Sequence, residues 1–296
     1  MIKKIIKAVN SVFGNFVRVQ SRLSFDEARK CLQETNPKPK GTCYTKNKLA
    51  IQYDLHIIIP AYNAEKYIKE CLESVFIQVS EYSVLATVVN DGSTDQTSII
   101  LENLKKLYKG NQIDIEIINQ DNKGYSGARN TALSFIRGKY IIFLDADDVL
   151  PQDTIEVMLD TAYEYDADIL QGSWYTFTNE KKKEHRVKES GKESGSQGYI
   201  SGYPWGKLYK YSVLENFQFP DGYWFEDTPI SFILAALPFK CISIDNIVYG
   251  YRLNSEGITS KAVYSEKSID SYWITEQCLK EFPKFKVHYD QKAYEY

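Results

Sequence analysis

The residues in this sequence best suited to chemistry are two aspartates one position apart. Asp145 and Asp147 flank the apolar Ala146 and directly follow an apolar run that ends at Leu144. Carboxylates placed this way after a strand can direct their oxygens at one solvent-facing point, where Mg²⁺ or Mn²⁺ keeps positions open for phosphate oxygens. The spacing predicts a metal site suited to a diphosphate leaving group, although an isolated pair of this kind is more often a solvated turn.

Two other clusters could contact the remainder of such a ligand. Asp91, within Asn90–Ser93, can accept a hydrogen bond from the N–H of a nucleobase, or it can belong to a simple Asp-Gly turn that caps the next helix. Lys123, Gly127 and Arg129 form a glycine-spaced basic segment where a helix is predicted to begin, and backbone N–H groups with basic side chains suit phosphates. A glycine turn with a surface ion pair is the alternative for that segment.

The elements that must position these clusters are short apolar strands separated by segments of helical periodicity. The predicted strands are Leu55 to Ile59, Val84 to Val89, Ile113 to Ile118 and Tyr140 to Leu144. This alternation predicts an α/β protein with a mainly parallel, Rossmann-like sheet that has helices on both faces. Ligands of such sheets bind beyond the carboxyl ends of the strands, where each polar cluster of this sequence lies.

The second half of the chain alternates less regularly. After Pro151 the patterns predict further elements: a helix to about Tyr165, a strand over Ile169 to Phe177, a charged loop or hairpin tip over Asn179 to Gly198, an apolar helix over Ile230 to Leu237, and a C-terminal amphipathic helix through Trp273.

Four segments, in order, resemble glycosyltransferase family 2 of the GT-A fold: IIIPAYNAEKYIKECLESV, VVNDGSTDQT, NKGYSGARNTAL and YIIFLDADD. The resemblance covers roughly residues 54 to 160. It implies a nucleotide-sugar donor, usually a UDP-sugar, dependence on a divalent metal, and inversion at the anomeric carbon. The residues implied to hold the nucleoside are Pro60, Ala61, Tyr62, Asn63 and Asp91. The segment Asp145–Ala146–Asp147 is implied to meet ribose and metal-bound diphosphate. Asp147 is expected to be the more direct metal ligand, and Asp145 to divide its contacts between ribose and metal.

Inverting transfer also needs a base that takes the proton of the acceptor hydroxyl. Glu226–Asp227 resembles the ED motif of the family, which implies that Asp227 is the general base and leaves Glu226 as its rival. The alternative is an acidic helix N-terminus that the helix dipole favours. The candidates for acceptor binding, for which core packing is the alternative, are Trp205, Lys207, Tyr223 and Trp224.

The sequence leaves the third protein ligand of the metal open. Many relatives offer a histidine near the positions of Tyr251, Arg252 and Asn254, but the histidines of this chain are His56, His185 and His288.

Composition restricts the partners and the compartment. The net charge of -3 argues against nucleic acid, and five cysteines without a CxxC pair favour a reducing cytoplasm. No apolar run is long enough for a membrane span. Residues 1–25 are basic and amphipathic, so they either pack on a protein surface or contact the inner face of the cell membrane peripherally.

Together these features predict three regions: residues 1–50, an amphipathic helix and linker; residues 51–150, the nucleotide-sugar-binding half; and residues 151–296, the acceptor-binding and catalytic half. We expect a metal-dependent hexosyltransferase or acetylhexosaminyltransferase that acts on a saccharide or lipid-linked oligosaccharide in bacterial surface glycan assembly. Extension of protein O-glycans, nucleotidyl transfer on the same fold, and an inactive carbohydrate-binding or scaffold protein are the alternatives.

Overall fold

The computed structural model describes residues 24–191, 200–254 and 266–286, and the chain divides into two compact units, residues 1–38 and residues 39–296. In the first unit, helix α1 (Phe25–Thr35) begins with a capping box in which Ser24 and Glu27 each accept the other's backbone N–H. This exchange satisfies two N–H groups that a helix start leaves unpaired. Most of the amphipathic segment predicted over residues 1–25 lies outside the described residues.

Within the described residues, an eight-stranded sheet organises the second unit. Its strands are β1 (Lys48–Ala61), β2 (Val84–Asp91), β3 (Ile113–Gln120), β4 (Phe135–Phe143), β5 (Ile169–Phe177), β6 (Lys182–His185), β7 (Lys207–Lys210) and β8 (Cys241–Arg252). The order β3-β2-β1-β4 is parallel throughout, as the strand and helix alternation predicted. The sheet then continues through antiparallel β7 to β5, which pairs with β8 in parallel and with β6 in antiparallel fashion.

Helices cover both faces of this sheet. They are α2 (Ile68–Phe76), α3 (Thr97–Leu107), α4 (Gly124–Leu133), α5 (Thr154–Glu164), α6 (Tyr211–Leu214), α7 (Thr228–Phe232) and α8 (Asp270–Glu281). Side chains of β1 alternate between two cores: Leu55 and Ile57 pack with α2, α3 and α5, whereas Ile58 packs with α4, α6 and α7. Among the described residues, no helix is long and apolar enough to cross a membrane.

Some element boundaries differ from those predicted. Strand β1 starts at Lys48 and β4 at Phe135 because these residues pair with each other in the parallel ladder. Their outer ends are exposed, with Phe135 at 51%, so they lack the continuous apolar character by which buried strands are recognised. The helix predicted over Ile230 to Leu237 is divided into α7 and a 3₁₀ turn at Leu234–Ala236.

The sheet topology places the polar clusters at one edge. Because β1, β2 and β4 are parallel neighbours, the segments that follow Ala61, Asp91 and Phe143 leave the sheet on the same side. Strands β5 and β8 run in the same direction as β4, since two antiparallel pairings separate β5 from β4. The carboxyl ends of β1, β2 and β4 from the first predicted half and of β5 and β8 from the second therefore meet at this edge of a single sheet.

Candidate functional site

The loops after β1 and β2 are hydrogen-bonded to each other. Asn63, whose φ is +47°, accepts the N–H of Thr94 at 2.8 Å through its side-chain oxygen, and its own N–H donates to the Ser93 hydroxyl at 3.0 Å. Asn63 does not cap the following helix, because α2 begins after Tyr67 and has no side-chain cap among the described residues. Instead, the asparagine joins the two loops that border the strand edge.

The preceding positions of β1 differ in how far they are exposed at this edge. Pro60 and Ala61 are buried at the end of the strand, whereas the ring of Tyr62 is 53% exposed. Tyr62 is therefore the member of this predicted nucleoside-binding segment whose side chain is open to a ligand.

Asp91 ends β2 as a buried carboxylate with one unpaired oxygen. Its Oδ1 accepts the Gln120 amide at 2.6 Å and the backbone N–H of Lys123 at 2.9 Å. Its Oδ2 is buried and has no hydrogen-bond partner among the described residues. Because an unpaired buried acceptor costs free energy, an N–H donor on a ligand would be favoured at this oxygen.

The glycine spacing at the start of α4 has a steric reason. A Cβ on Gly127 would lie 2.4 Å from the Cβ of Lys123, closer than two carbon atoms can approach. Glycine at this position therefore allows Lys123 to pack against the helix and to direct its N–H at Asp91. The side chain of Lys123 is exposed, so it remains available at this edge for a ligand phosphate.

The aspartates after β4 are held by Tyr249 of β8. The Tyr249 hydroxyl donates to Oδ2 of Asp148 at 2.7 Å and accepts the backbone N–H of Asp145 at 3.2 Å. Asp148 is 1% exposed, and burial followed by the charges of Asp145 and Asp147 raises its pKa well above the ordinary value. Asp148 therefore stabilises the turn from its buried side. The carboxylates of Asp145 and Asp147 remain partly exposed.

Asp145 and Asp147 form an electrostatically unfavourable pair. Burial, and then the charge of Asp145, raises the pKa of Asp147 above its ordinary value. Asn254 contacts Oδ2 of Asp147 from 3.3 Å, and Arg252 donates from Nε to its backbone carbonyl at 2.7 Å. A divalent cation would relieve the repulsion between the two carboxylates, so their environment fits a hard metal ion.

Within residues 24–191, 200–254 and 266–286, no three His, Cys, Asp or Glu side chains are grouped to hold a metal ion. Neither histidine in those ranges lies at the site: His56 contacts Thr87 within the sheet, and His185 stacks on Trp174. The described residues thus offer two carboxylates, Asp145 and Asp147, as candidate ligands, and two can suffice for Mg²⁺ when phosphates and water complete the coordination.

A buried arginine joins the two halves of the site. The guanidinium of Arg129 donates to Oδ1 of Asp145 at 2.7 Å and to Oε1 of Glu226 at 2.5 Å. The Arg129 side chain is only 5% exposed, and its ring neighbours are Phe219 and Tyr125. Its two terminal nitrogens therefore each hold one carboxylate, one from each half. A contact between Arg129 and a ligand phosphate remains a prediction.

Glu226 and Asp227 have different environments. Burial, assisted by Asp227 and opposed by Arg129, raises the pKa of Glu226 to about 7. Burial also raises the pKa of Asp227, which feels the charges of Arg129, Asp145 and Lys207. Asp227 precedes α7, yet among the described residues its side chain makes no capping hydrogen bond. The Asp227 carboxylate is therefore not used to cap the helix, and it is partly exposed at the site.

The residues predicted to bind an acceptor are mostly buried. Trp205 is 8% exposed and stacks on both Tyr203 and Tyr249. The Tyr223 hydroxyl donates to the carbonyl of Pro39 at 2.8 Å. These contacts are those of core aromatics.

Lys207 is also buried, and burial lowers its pKa to about 7. Its ammonium donates to the Ser201 hydroxyl at 2.7 Å and to the Tyr203 carbonyl at 2.6 Å. Trp224 is half-buried and is the most exposed of the four candidates. A direct contact between any of them and an acceptor stays a prediction.

The structure adds two residues that the sequence patterns did not single out. Tyr249 positions Asp145 and Asp148, and Glu70 pairs with Arg252 at 2.6 Å beside the aspartate turn. Both lie far in sequence from the aspartates, so only strand pairing and helix placement bring them together. The alternation of side chains along β8 was the signal that could have placed Tyr249 facing the core.

Comparison with known proteins provides independent evidence about the family. The model of the family described as Glycosyl transferase family 2 matches residues 56–225. Glycosyltransferase GlyA of Streptococcus pneumoniae serotype 4 is 32% identical over 230 residues, covering 71% of this chain and 32% of GlyA. Putative glycosyltransferase EpsH of Bacillus subtilis is 29% identical over 239 residues, covering 73% of this chain and 64% of EpsH. This chain thus spans about a third of GlyA and under two thirds of EpsH.

Solved structures share the arrangement of the sheet. The S. aureus TarS 1-349 complex with UDP-GlcNAc has a TM-score of 0.61 and 22% identity, covering 78% of this chain and 72% of that one. The mannosyltransferase PcManGT from Pyrobaculum calidifontis, in complex with GDP-Man and Mn²⁺, has a TM-score of 0.57 and 14% identity. The match covers 88% of this chain and 75% of that one. At these identities the similarity concerns the fold.

Proposed function

Because this chain belongs to glycosyl transferase family 2 and has its GT-A fold, we propose that it transfers a sugar, with inversion, from a nucleotide-diphosphate donor to a hydroxyl of a saccharide acceptor. The observation that carries the proposal is the link through Arg129, which joins Asp145 on the donor side to Glu226 on the acceptor side. A site that binds a diphosphate and deprotonates a hydroxyl needs acidic groups on both sides of the transferred sugar.

We propose a UDP-sugar as the donor. The unpaired Oδ2 of Asp91 is suited to the N–H of a uracil ring, and the exposed ring of Tyr62 lies on the neighbouring loop. The exposed Lys123 side chain suits the diphosphate. TarS was solved with UDP-GlcNAc, whereas PcManGT was solved with GDP-Man. The nucleobase of the donor is therefore tested directly below.

Asp147 and Asp145 would hold Mn²⁺ or Mg²⁺. The bound metal would neutralise the charge that develops on the departing diphosphate. Arg129 keeps Asp145 in place by occupying its Oδ1, and Tyr249 fixes the backbone of the same residue. Asp145 is thereby positioned before the donor arrives, which reduces the reorganisation that the reaction requires.

Asp227 is the proposed general base. It takes the proton from the acceptor hydroxyl as that oxygen forms a bond to the anomeric carbon and the bond to the diphosphate oxygen breaks. Burial raises its pKa, which makes its carboxylate a stronger base than an exposed aspartate. Burial raises the pKa of Glu226 as well, but Glu226 is the weaker candidate because its Oε1 already accepts a charged hydrogen bond from Arg129.

We propose that the acceptor is a saccharide or lipid-linked oligosaccharide of a bacterial surface glycan. The group transferred to it would be a hexose or an acetylhexosamine. Among the relatives, GlyA of Streptococcus pneumoniae is named a glycosyltransferase and EpsH of Bacillus subtilis a putative glycosyltransferase. Membrane contact through residues 1–25 is part of this proposal, since a lipid-linked acceptor lies at a membrane surface.

The first test combines donor binding with turnover. UDP with Mn²⁺ should bind in calorimetry, and a panel of UDP-sugars should show metal-dependent release of UDP to water or to added saccharides. We expect Asp227→Asn to lower turnover about 100- to 10,000-fold while UDP still binds.

Glu226→Gln is the matched control because it alters the neighbouring carboxylate. A larger loss of turnover in Glu226→Gln than in Asp227→Asn would assign the base to Glu226. Absence of UDP binding by the intact protein would contradict the enzyme hypothesis and favour a scaffold that kept the fold.

A further inference from the structure

The turn that precedes the two acidic residues of the acceptor side has an unusual backbone. Phe225, immediately before Glu226 and Asp227, has a φ of +60°, and Gly222 in the same loop has a φ of +84°. Glycine adopts this left-handed region freely, whereas a bulky residue such as phenylalanine rarely does. A phenylalanine persists there only when surrounding contacts hold the backbone in place.

The contact that holds this turn from outside comes from the C-terminal helix. The backbone N–H of Trp224, the residue before Phe225, donates to Oδ2 of Asp270 at 2.9 Å. Asp270 is the first residue of α8 and is fully buried. A carboxylate at a helix N-terminus is favoured by the helix dipole, so this group is a fixed acceptor for the turn.

Two further bonds complete the turn on its other side. The N–H of Thr228 donates to the Phe225 carbonyl at 3.0 Å, and the Glu226 carboxylate accepts a hydrogen bond from the Arg129 guanidinium. The segment is therefore held at Trp224 by α8 and at Glu226 by α4, with the left-handed Phe225 between the two attachments. Release of either attachment would let the backbone relax and would redirect the Asp227 side chain.

We propose that Asp270 is a positioning residue for transfer: it anchors the turn that presents Glu226 and Asp227 to the reacting hydroxyl. This inference rests on the proposed function. Asp270 lies beyond residue 225, where the family match ends, and it acts through the backbone of Trp224 without touching the substrate.

Helix α8 offers a matched control at its other end. Glu281 is 2% exposed and, like Asp270, accepts a backbone N–H, that of Cys43 at 2.6 Å. Its partner belongs to the segment before β1 and not to the turn. Loss of either carboxylate weakens the attachment of α8, but only loss of Asp270 releases the turn.

The activity arm compares Asp270→Ala, Asp270→Asn and Glu281→Ala with the unaltered chain, using the UDP-sugar that this chain hydrolyses fastest with Mn²⁺. We expect Asp270→Ala to lower kcat about 10- to 100-fold while the Kd for UDP with Mn²⁺ stays within about twofold, since the donor side is untouched. Asp270→Asn should recover most of kcat because its amide oxygen can accept the same N–H. Glu281→Ala should keep the kcat of the unaltered chain.

A second arm does not depend on activity. Hydrogen–deuterium exchange of the amides in residues 222–228 should accelerate in Asp270→Ala and remain slow in Glu281→Ala. If Asp270→Ala does not fold, Asp270→Ser replaces it, because its shorter side chain keeps a polar group at the helix start without reaching Trp224.

The outcomes separate the two proposals. Equal kcat in Asp270→Ala and the unaltered chain, or equal losses in Asp270→Ala and Glu281→Ala, would overturn the positioning role. If the unaltered chain hydrolyses no UDP-sugar, the proposed function fails instead, and the exchange arm still decides whether Asp270 anchors the turn.

Discussion

At the scale of single residues, Arg129 has the most consequences for the site. Burial opposes its ionisation, but the charges of Asp145 and Glu226 outweigh that effect and raise its pKa above the ordinary value. Its Nε is buried and has no hydrogen-bond partner among the described residues, so the two terminal nitrogens carry the binding. A sequence motif can predict a basic residue here, but not that both of its partners are acids of the protein itself.

We expect Arg129→Met to destabilise the fold by about 3 kcal/mol, because it leaves the buried Glu226 without its counter-charge. Arg137→Met is the matched control, since Arg137 pairs with Glu116 at 2.9 Å but its side chain is 29% exposed. That pair should contribute at most about 1 kcal/mol. Urea denaturation measures the free energy of unfolding of each variant. Equal decreases in Arg129→Met and Arg137→Met would show that the buried ion pair stabilises the fold no more than the partly exposed one.

At the scale of elements, a polar ladder crosses the parallel strands. His56 of β1 contacts the Thr87 hydroxyl of β2 at 2.9 Å, Thr87 donates to Glu116 of β3 at 3.3 Å, and Arg137 of β4 donates to the same Glu116. His56 is 1% exposed, and its Nδ1 is buried without a partner among the described residues. Burial, with a smaller effect of Arg137, lowers the pKa of His56 to about 3.

The ladder predicts that the protein loses stability in mild acid. An unfolded histidine takes up a proton below pH 6.5, whereas His56 in the folded protein resists protonation down to about pH 3. The contribution of His56 is therefore complete above pH 6.5 and is lost as the pH falls, at about 1.4 kcal/mol per pH unit.

Denaturant unfolding at pH 7 and pH 5 measures this loss. The unaltered chain should lose about 2 kcal/mol more than His56→Leu over that interval, because leucine cannot titrate. The constant effect of the lost Thr87 contact cancels in the comparison. Parallel pH dependences of the two chains would contradict the assignment to His56.

At the scale of the whole molecule, charge is unevenly distributed along the chain. Five of the 36 basic residues and none of the 39 acidic residues lie in the first 25 positions, so the other residues carry a net charge of -8. An anionic membrane surface attracts the first segment at about 1 kcal/mol per basic residue and repels the remainder. Any contact with such a surface should therefore depend on these few residues and weaken with salt.

We expect the full chain to co-sediment with anionic liposomes at low salt, and deletion of residues 1–20 to abolish this. Replacement of Lys3, Lys4 and Lys7 by glutamine should weaken sedimentation, whereas replacement of the exposed Lys105 and Lys106 at the end of α3 should not. Equal sedimentation of the deleted and full chains would favour packing of the segment on a protein surface.

Local pattern was sufficient for the first half of the fold. The short apolar runs within β1, β2 and β4 are continuous because these parts of the parallel strands are buried on both faces, and the polar clusters follow them directly in sequence. The candidate metal pair and Asp91 could therefore be placed at one edge of a parallel sheet from the sequence alone. Resemblance to a family then supplied the expected ligand.

Contacts between distant segments were not predictable in this way. Arg129 and Glu226 are 97 residues apart, and Tyr249 is 104 residues from Asp145. No periodicity records such distances, because a side chain's partners depend on how strands and helices are stacked. The same limitation made Trp205, Lys207 and Tyr223 candidates for ligand contact, although packing buries all three.

The sequence by itself determined the order of the first four strands and of the helices between them, the family, and the positions of the acids. Only the tertiary structure decided how those acids are held: Asp145 by Arg129 and Tyr249, Glu226 by Arg129, and the turn before Asp227 by Asp270. The physical reason is that strand and helix formation depends on local side-chain spacing. Hydrogen bonds between buried charged groups depend on which elements the completed sheet brings within 3 Å of one another.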